Sequence, residues 1–341
     1  MVKRGKVIKM ENVILVDFEP PQNWNFISGL IKSSKMTWII AKKISNLNRK
    51  GKIGNLKRYL KYFFFSIEIF TKRKRYLNII AWQQFYGLFY AFFCKLFHVK
   101  KRNNLTIMTF IYKPKKGFFG KIYFKWMKGI ITSKYVDRLI VFSSSEIQQY
   151  CNDFQLDNSK FFYIPLGEDI RYVSKSCAVK ESNFVFSSGF SNRDFNFLCE
   201  VAKKTPEIKY IIYGDKKYQT DNVFMTDEIV GNLVDEYLSK CKLVAVPLKE
   251  NRSSGQLTVL HAMEKGVPVI ATNSDSMNDY IQHNINGVLC ENSIDLWVNY
   301  IRRMFKDTEY YKKLSINSKK IYLENHTLKA MGENIGIFYS R

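Results

Sequence analysis

The chain has 341 residues, too many for one small core and enough for two domains of ordinary size. Its 54 Lys and Arg against 30 Asp and Glu give a formal charge of +24. The six cysteines are scattered with no CxxC pair, which excludes a disulfide framework or a Cys/His metal cluster and makes a reducing cytoplasm the expected compartment.

The N-terminus, MVKRGKVIKMENVILVDFEPP, has basic residues but no long apolar segment and no small-residue cleavage site, so no signal peptide is expected. NVILVDF (12–18) reads as a first strand, followed by EPPQNW (19–24), and MTWIIAKKI (36–44) as a second. KRYLKYFFFSIEIF (57–70) and the KRKR run after it combine dense aromatic content with Lys57, Arg58, Lys72 and Arg73. That combination suits a helix lying in a bilayer interface, its cations snorkelling to anionic headgroups. An ordinary helix packing its Phe residues inward is the competing reading.

The uncharged run from Leu77 to Cys94 is interrupted by Asn78, Gln83, Gln84 and Gly87. A strand (77–84) followed by a helix (85–98) is therefore expected in place of a membrane span. LTIMTFIY (105–112) reads as a strand ending in the loop KPKKG, where Lys113, Lys115 and Lys116 sit at the edge at which open α/β sheets bind ligands. A solvated loop is the alternative there. VDRLIVFSSSEIQQY (136–150) reads as a strand running into a Ser-capped helix, KFFYIPLGED (160–169) as a last strand, and residues 170–183 as a linker.

The second half opens with FVFSSGF (184–190) and the turn SNRD, leading into DFNFLCEVAKK. Strand, glycine turn and helix make a phosphate cradle, and Arg193 is its one cation. A surface pairing of Arg193 with Asp194 competes with that role. KYIIYGD (209–215) reads as a strand and DEIVGNLVDEYLSKC (227–241) as a helix.

CKLVAVPL (241–248), the polar loop KENRSSG (249–255), QLTVLHAMEK (256–265) and VPVIAT (267–272) then form a βαβ unit, with Gly266 closing the helix. Ser253 and Gln256 have capping-box spacing, which predicts a helix start at Ser253 and free N–H groups aimed into the loop. Leu257, Val259, Leu260, Ala262 and Met263 are expected to bury most of the helix. Ser254, Thr258, His261 and Lys265 form one polar stripe that faces water or lines a phosphate-binding cleft. Helices at 295–307 and 307–325 follow.

SSGQLTVLHAMEKGVPVIAT, with NGVLC (286–290) beyond it, resembles the donor-sugar signature of the bacterial group 1 retaining nucleotide-sugar glycosyltransferases. The resemblance implies an α/β GT-B fold, two Rossmann-like domains facing each other across a cleft. It places an acceptor-binding domain at 1–170, a donor-binding domain at 171–320 and a C-terminal helix, 321–341, that crosses back to the first. The family carries two glutamates separated by seven residues, the second in EAM; Ser253 and His261 stand at those places here. Gly189, Asn192, Arg193, Lys249, Ser253, Ser254, Gly255, Gln256, Thr258 and His261 are the implied donor-binding residues. The segment before the helix at 227–241 is the implied base site.

Transfer from such a donor requires neutralisation of a leaving diphosphate. Arg193, Lys249 and the amides at Ser254 and Gly255 are expected to supply it without a metal. The expectation is a glycosyltransferase on the inner face of the cell membrane, moving a sugar from a nucleotide donor to a lipid-linked saccharide in cell-surface polysaccharide assembly. Residues 1–170 hold 31 basic and 10 acidic residues against 23 and 20 in the remainder, so an anionic membrane surface is the expected partner of the first half. The KPKKG lysines would then meet the acceptor's pyrophosphate. A GT-B domain without turnover, serving as a scaffold in a polysaccharide assembly complex, is the second reading, motivated by the absent glutamates. Nucleic-acid binding draws only on net charge and finds no RNA or DNA motif to support it.

Overall fold

The computed structural model describes residues 10–44, 52–169, 183–228 and 232–340. It divides into two compact units, Met1–Ile164 with Gly332–Arg341, and Pro165–Met331. The expected linker at 170–183 lies almost wholly outside the described residues.

The first unit winds β1 (Glu11–Val16), α1 (Asn25–Ser34), β2 (Ile39–Lys42), α2 (Lys52–Thr71), β3 (Tyr76–Ala81), α3 (Gln84–Leu96), β4 (Asn104–Ile107), α4 (Gly117–Ile131), β5 (Arg138–Val141), α5 (Ser145–Phe154) and β6 (Phe161–Tyr163). The six strands are all parallel, in the order β2-β1-β3-β4-β5-β6. Helices cover such a sheet, so β1 buries Val13, Ile14, Leu15 and Val16 completely, and its apolar run needs no alternation. Asn78 crosses three strands, donating to Asn12 (2.8 Å) and accepting from Asn104 (2.9 Å).

The uncharged run divides into β3 and α3, and no helix among the described residues is long and apolar enough to cross a membrane. After β1, where EPPQNW stands, the rings of Phe18, Trp24, Phe26 and Trp82 pack together with centroids 4.9–5.8 Å apart. Two features differ from the sequence reading. The strand expected at 105–112 stops at Ile107. Helix α4, which follows the KPKKG loop, was not expected at all.

The second unit winds β7 (Phe184–Ser188), α6 (Phe195–Lys203), β8 (Lys209–Tyr213), β9 (Tyr218–Gln219), β10 (Val223–Thr226), α7 (Asn232–Lys240), β11 (Leu243–Val246), α8 (Gln256–Glu264), β12 (Val269–Thr272), α9 (Asp275–Asn278), β13 (Val288–Cys290), α10 (Ile294–Lys306), α11 (Thr308–Asn325) and α12 (Leu328–Gly336). Its sheet runs β13-β12-β11-β7-β8-β10-β9, parallel except for β9. Successive residues of β7 point to opposite faces. Val185 joins α6 and α10 on one side, while Phe184 and Phe186 join α7 and α8 on the other.

The helix expected at 227–241 begins at Asn232, after three residues outside the described set. Residues 332–340 pack within the first unit. There Lys32 pairs with Glu333 (2.9 Å), and the buried Tyr339 hydroxyl lies 2.6 Å from that of Thr106. What returns is therefore the second half of α12 and the turn after it, a shorter segment than 321–341.

Candidate functional site

The end of β7 and the end of β11 are neighbours in a parallel sheet, so the loops leaving them emerge side by side at its C-terminal edge. Between them the chain forms a short zip. The Asp194 amide donates to the Pro247 carbonyl (3.0 Å) and the Lys249 amide to the Asn192 carbonyl (3.3 Å). Asn192, buried and left-handed at φ 58°, donates its side-chain amide to the Glu250 carbonyl (2.9 Å) and accepts from the Glu250 amide (3.1 Å). Asparagine tolerates this backbone region better than most residues. Its side chain thus holds the Lys249–Glu250 segment in place rather than reaching for a ligand.

Arg193 lies under this zip, only 8% exposed. Nε donates to the Ser188 carbonyl (3.0 Å), Nη1 to the Ser191 carbonyl (3.0 Å) and the Ser254 hydroxyl (3.2 Å), and Nη2 to the Thr258 hydroxyl (3.3 Å). Four of its five N–H groups are used. Two glycines make the space. A Cβ at Gly189 would stand 2.8 Å from Arg193 Nη2, and one at Gly255 would stand 2.9 Å from a Val246 methyl. Both glycines have positive φ, 129° and 93°, where other residues are strained.

Among the described residues, no carboxylate pairs with Arg193. Asp194, the expected competitor, instead caps α6 by accepting from the Phe197 amide (3.1 Å). Burial lowers the Arg193 pKa to about 10, which leaves the guanidinium charged at neutral pH. A buried cation without a counter-ion costs several kcal/mol, about what an anionic ligand within reach would offset.

Helix α8 starts at Gln256 behind the N-cap Gly255, not at Ser253. Ser253 is exposed, and its hydroxyl accepts from the Gln256 side chain, so the expected capping box does not close on the backbone. The first helical bond is from the Val259 amide to the Gly255 carbonyl (3.1 Å). The amides of Gln256, Leu257 and Thr258 are consequently open, with the positive end of the helix behind them. Leu257 is exposed, contrary to expectation, whereas Val259, Leu260, Ala262 and Met263 are buried. The polar stripe is half-buried, and Ser254 and Thr258 on it face Arg193. His261, one turn on, is held below its ordinary pKa by burial and is neutral at pH 7.

A cavity of about 450 Å³ opens beside Gly189, Arg193 and Lys249 and extends to Glu200 and Lys216. Asp215, Lys216, Lys217 and Tyr218, from the turn after β8 and from β9, complete its wall. Lys249 is exposed on its wall. Phe190, 61% exposed and edge-on to Tyr213 (4.9 Å), stands at its mouth.

Sequence reasoning missed Phe190 and two residues that fix the second loop. The Thr272 hydroxyl accepts from the Leu248 amide (2.7 Å), and Asn292 donates to the Leu248 carbonyl (2.8 Å). Nothing in their local sequence signals this. The implied base site before α7 lies partly outside the described residues. Among the described residues, no group of three or more His, Cys, Asp or Glu side chains is placed to hold a metal ion.

In the first unit, Lys57 and Arg58 lie near the start of α2, and Lys72 and Arg73 just past its end, about 20 Å away along a helix rise of about 1.5 Å per residue. Lys72 pairs with Glu68 (2.7 Å), and Arg73 lies over the Phe70 ring (4.3 Å). Lys113, Lys115 and Lys116 are exposed at the start of α4. The length of α2 thus separates Lys57 and Arg58 from Lys72 and Arg73.

Residues 180–321 match the model of the glycosyl transferases group 1 family. The chain is 25% identical over 246 residues to the UDP-Gal:alpha-D-GlcNAc-diphosphoundecaprenol alpha-1,3-galactosyltransferase of Escherichia coli, across 63% of this chain. It spans 62% of that relative's length. Among solved structures, sucrose-phosphate synthase from Thermosynechococcus elongatus superposes with a TM-score of 0.68 at 13% identity, covering 96% of this chain and 98% of that one. HepE of Anabaena in complex with UDP and glucose superposes at 0.63 and 15% identity, with the same coverage. WaaG, a glycosyltransferase involved in lipopolysaccharide biosynthesis, superposes at 0.59 and 12% identity, covering 95% and 98%. The two Rossmann-like units are those of the GT-B fold.

Proposed function

From the premise that the chain is a group 1 glycosyl transferase of the GT-B fold, we propose that it moves a sugar from a nucleotide donor to a polyprenyl-diphosphate-linked saccharide at an anionic membrane surface. The observation that carries this is the buried, carboxylate-free Arg193 beside the open amides of α8. A diphosphate would take its hydrogen bonds from the Gln256, Leu257 and Thr258 amides and from Lys249. The Arg193 charge would sit behind it. With four N–H groups already engaged, Arg193 offers one N–H and a fixed field in place of the bidentate grip expected from sequence. The groups are held before the donor arrives, so charge on the departing diphosphate is stabilised without reorganisation.

Retention of configuration follows the family resemblance. Metal independence is proposed because fixed cations and amides supply the charge a metal would otherwise bring. His261 stands where the family places its ribose-binding glutamate, and a neutral imidazole there donates or accepts one hydrogen bond. Role in cell-surface polysaccharide assembly and placement on the inner membrane face belong to the same reading, supported by the diphosphoundecaprenol substrate in the E. coli relative's name.

The membrane contact draws on a feature of the first unit. Between Glu68 and Asp137 the chain carries fifteen Lys or Arg and no carboxylate. In that unit Phe64, Phe118 and Phe119 are 63%, 73% and 83% exposed. Rings in the interface and lysines at the headgroups suit this composition.

The test is transfer from UDP-, GDP- or ADP-sugars into native membranes, with release of the nucleoside diphosphate measured. A defined donor giving labelled lipid is expected; no hydrolysis or transfer from any donor would overturn the assignment. The non-catalytic scaffold reading is favoured by one observation, that Ser253 turns its hydroxyl to Gln256. Undetectable nucleotide binding by calorimetry would decide for it.

A further inference from the structure

In the first unit, α2, α3 and α4 enclose an apolar groove of about 270 Å³ that the donor chemistry does not use. Its walls are Tyr59 from α2, Phe85 and Phe89 from α3, and Tyr123 and Trp126 from α4. Tyr59 packs edge-on to Phe85 (4.9 Å), Phe89 stands 5.8 Å from Trp126, and Trp126 stacks with Tyr123 (6.3 Å). The rings present faces and edges to a trough open along one side. Lys115 stands at its rim with Nζ 4.3 Å from the Tyr123 centroid. Lys113 and Lys116 flank it, and none of the three pairs with a carboxylate among the described residues.

We propose that this groove holds the first isoprene units of a polyprenyl diphosphate, with Lys115 and its neighbours on the diphosphate. The inference rests on the proposed lipid-linked acceptor and adds where its lipid sits. Charge complementarity selects the occupant. A purely hydrocarbon ligand would leave three unpaired lysines at the rim without use, and a free diphosphate would leave five rings without use. A linear chain bearing methyl branches packs against ring faces and ends in an anion, so it satisfies both halves of the site. Lys115 exchanges its ring contact for a charged oxygen as the head arrives. The loop's position at the C-terminal end of β4 puts the head on the edge of the sheet where α/β folds bind ligands.

The experiment is calorimetry on the full chain with three probes, farnesyl diphosphate, inorganic pyrophosphate and farnesol, and with UDP as a control for the second unit. Farnesyl diphosphate is expected to bind at least about tenfold more tightly than either pyrophosphate or farnesol. Trp126→Ala should weaken it about tenfold, and Lys115→Glu, an exposed change that leaves the core intact, should erase the preference for the diphosphate over the alcohol. UDP binding should be unchanged in both variants. Equal affinity for pyrophosphate and farnesyl diphosphate, no effect of either variant, displacement of farnesyl diphosphate by UDP, or its displacement by anionic vesicles lacking polyprenol would each overturn the groove. Farnesyl diphosphate binding without any UDP binding would support the groove while removing the transferase reading.

Discussion

Arg193 and Thr258 are 65 residues apart in sequence, yet Nη2 of one donates to Oγ1 of the other at 3.3 Å. One guanidinium therefore ties the loop after β7 to the first turn of α8, with no carboxylate paired to it among the described residues. Removing it has two separable consequences. Arg193→Met takes a donor from the Ser188 carbonyl and from the Ser254 and Thr258 hydroxyls, while the Ser191 carbonyl keeps the Ser254 hydroxyl (3.0 Å), so unfolding free energy should fall by about 2–4 kcal/mol. UDP affinity should fall by more than about tenfold, since a charged hydrogen-bonding group is worth about 1.5–3 kcal/mol. Melting curves and calorimetry on the same preparation read the two effects; unchanged UDP binding in a folded variant would contradict the anion-site assignment.

Thr258→Val tests the same site from the other side. The substitution strips one acceptor from Nη2 and should cost about 1–2 kcal/mol without ligand. A bound diphosphate can take up the released N–H, so UDP should raise the melting temperature of Thr258→Val at least as much as that of the parent. A smaller UDP-induced shift in the variant would mean that the hydroxyl itself contacts the nucleotide.

The six strands of the first sheet and β7, β8, β11 and β12 of the second were legible because a parallel sheet covered on both faces demands unbroken apolar runs, as in VILV of β1 and LVAV of β11, whereas the short β9, β10 and β13 were not read. The cation of the proposed anion site stands out in SNRD, which holds only one. Its partners were not. That Asp194 caps α6 while Ser254 and Thr258 receive Arg193 depends on how two loops meet, and no local pattern encodes it. Ser253 and Gln256 matched a capping box, but the left-handed Gly255 sets the helix start three residues later and turns Leu257 outward. Helix α4 escaped notice because lysines and aromatic rings surround it and glycines interrupt it at 117, 120 and 129. Its buried Met127, Ile130 and Ile131 carry only part of a helical period.

Asn192 should be a positioning residue. Its side chain bonds both backbone groups of Glu250, and Asn192→Gly would keep the left-handed turn while deleting that clamp. The expected loss is about 1–2 kcal/mol, with faster hydrogen exchange at residues 249–255 than elsewhere in the second unit. The donor KM should rise more than kcat falls, because the loop carrying Lys249 loosens. An unchanged exchange pattern would remove this role.

Acid should destabilise the fold through two histidines. Burial lowers the pKa of both His261 and His326, so the unfolded chain binds protons that the folded chain refuses. Stability therefore rises with pH through the window below the unfolded value of about 6.5, and is lost as pH falls through it. His326 also stacks on Tyr280 (5.1 Å), and its Nδ1 lies 3.2 Å from the Leu166 carbonyl, so substitution there would disturb packing as well. His261→Gln is the cleaner test. It should flatten the decline in melting temperature between about pH 7 and pH 5, and an identical slope in the variant would show that His261 takes its proton equally in both states.

Membrane partition should depend on Phe118 and Phe119, the most exposed large apolar residues described in the chain. They occupy the first turn of α4, next to Lys115, Lys116 and Lys121, and their centroids are 6.0 Å apart, so both can enter an interface together. Each ring moved from water is worth about 1.5–3 kcal/mol when fully buried, and a headgroup region captures only part of that. Phe118→Ser with Phe119→Ser should then reduce sedimentation with phosphatidylglycerol vesicles about tenfold or more, while neutral vesicles bind weakly throughout. Raising salt to about 0.5 M should weaken binding of parent and variant alike, because the surrounding lysines act through a field screened within about 10 Å. UDP calorimetry should give the same value for both proteins, since neither ring belongs to the second unit. Binding to anionic vesicles that is insensitive to the double substitution would shift the contact to α2, whose Leu56, Leu60 and Phe64 form the alternative exposed row.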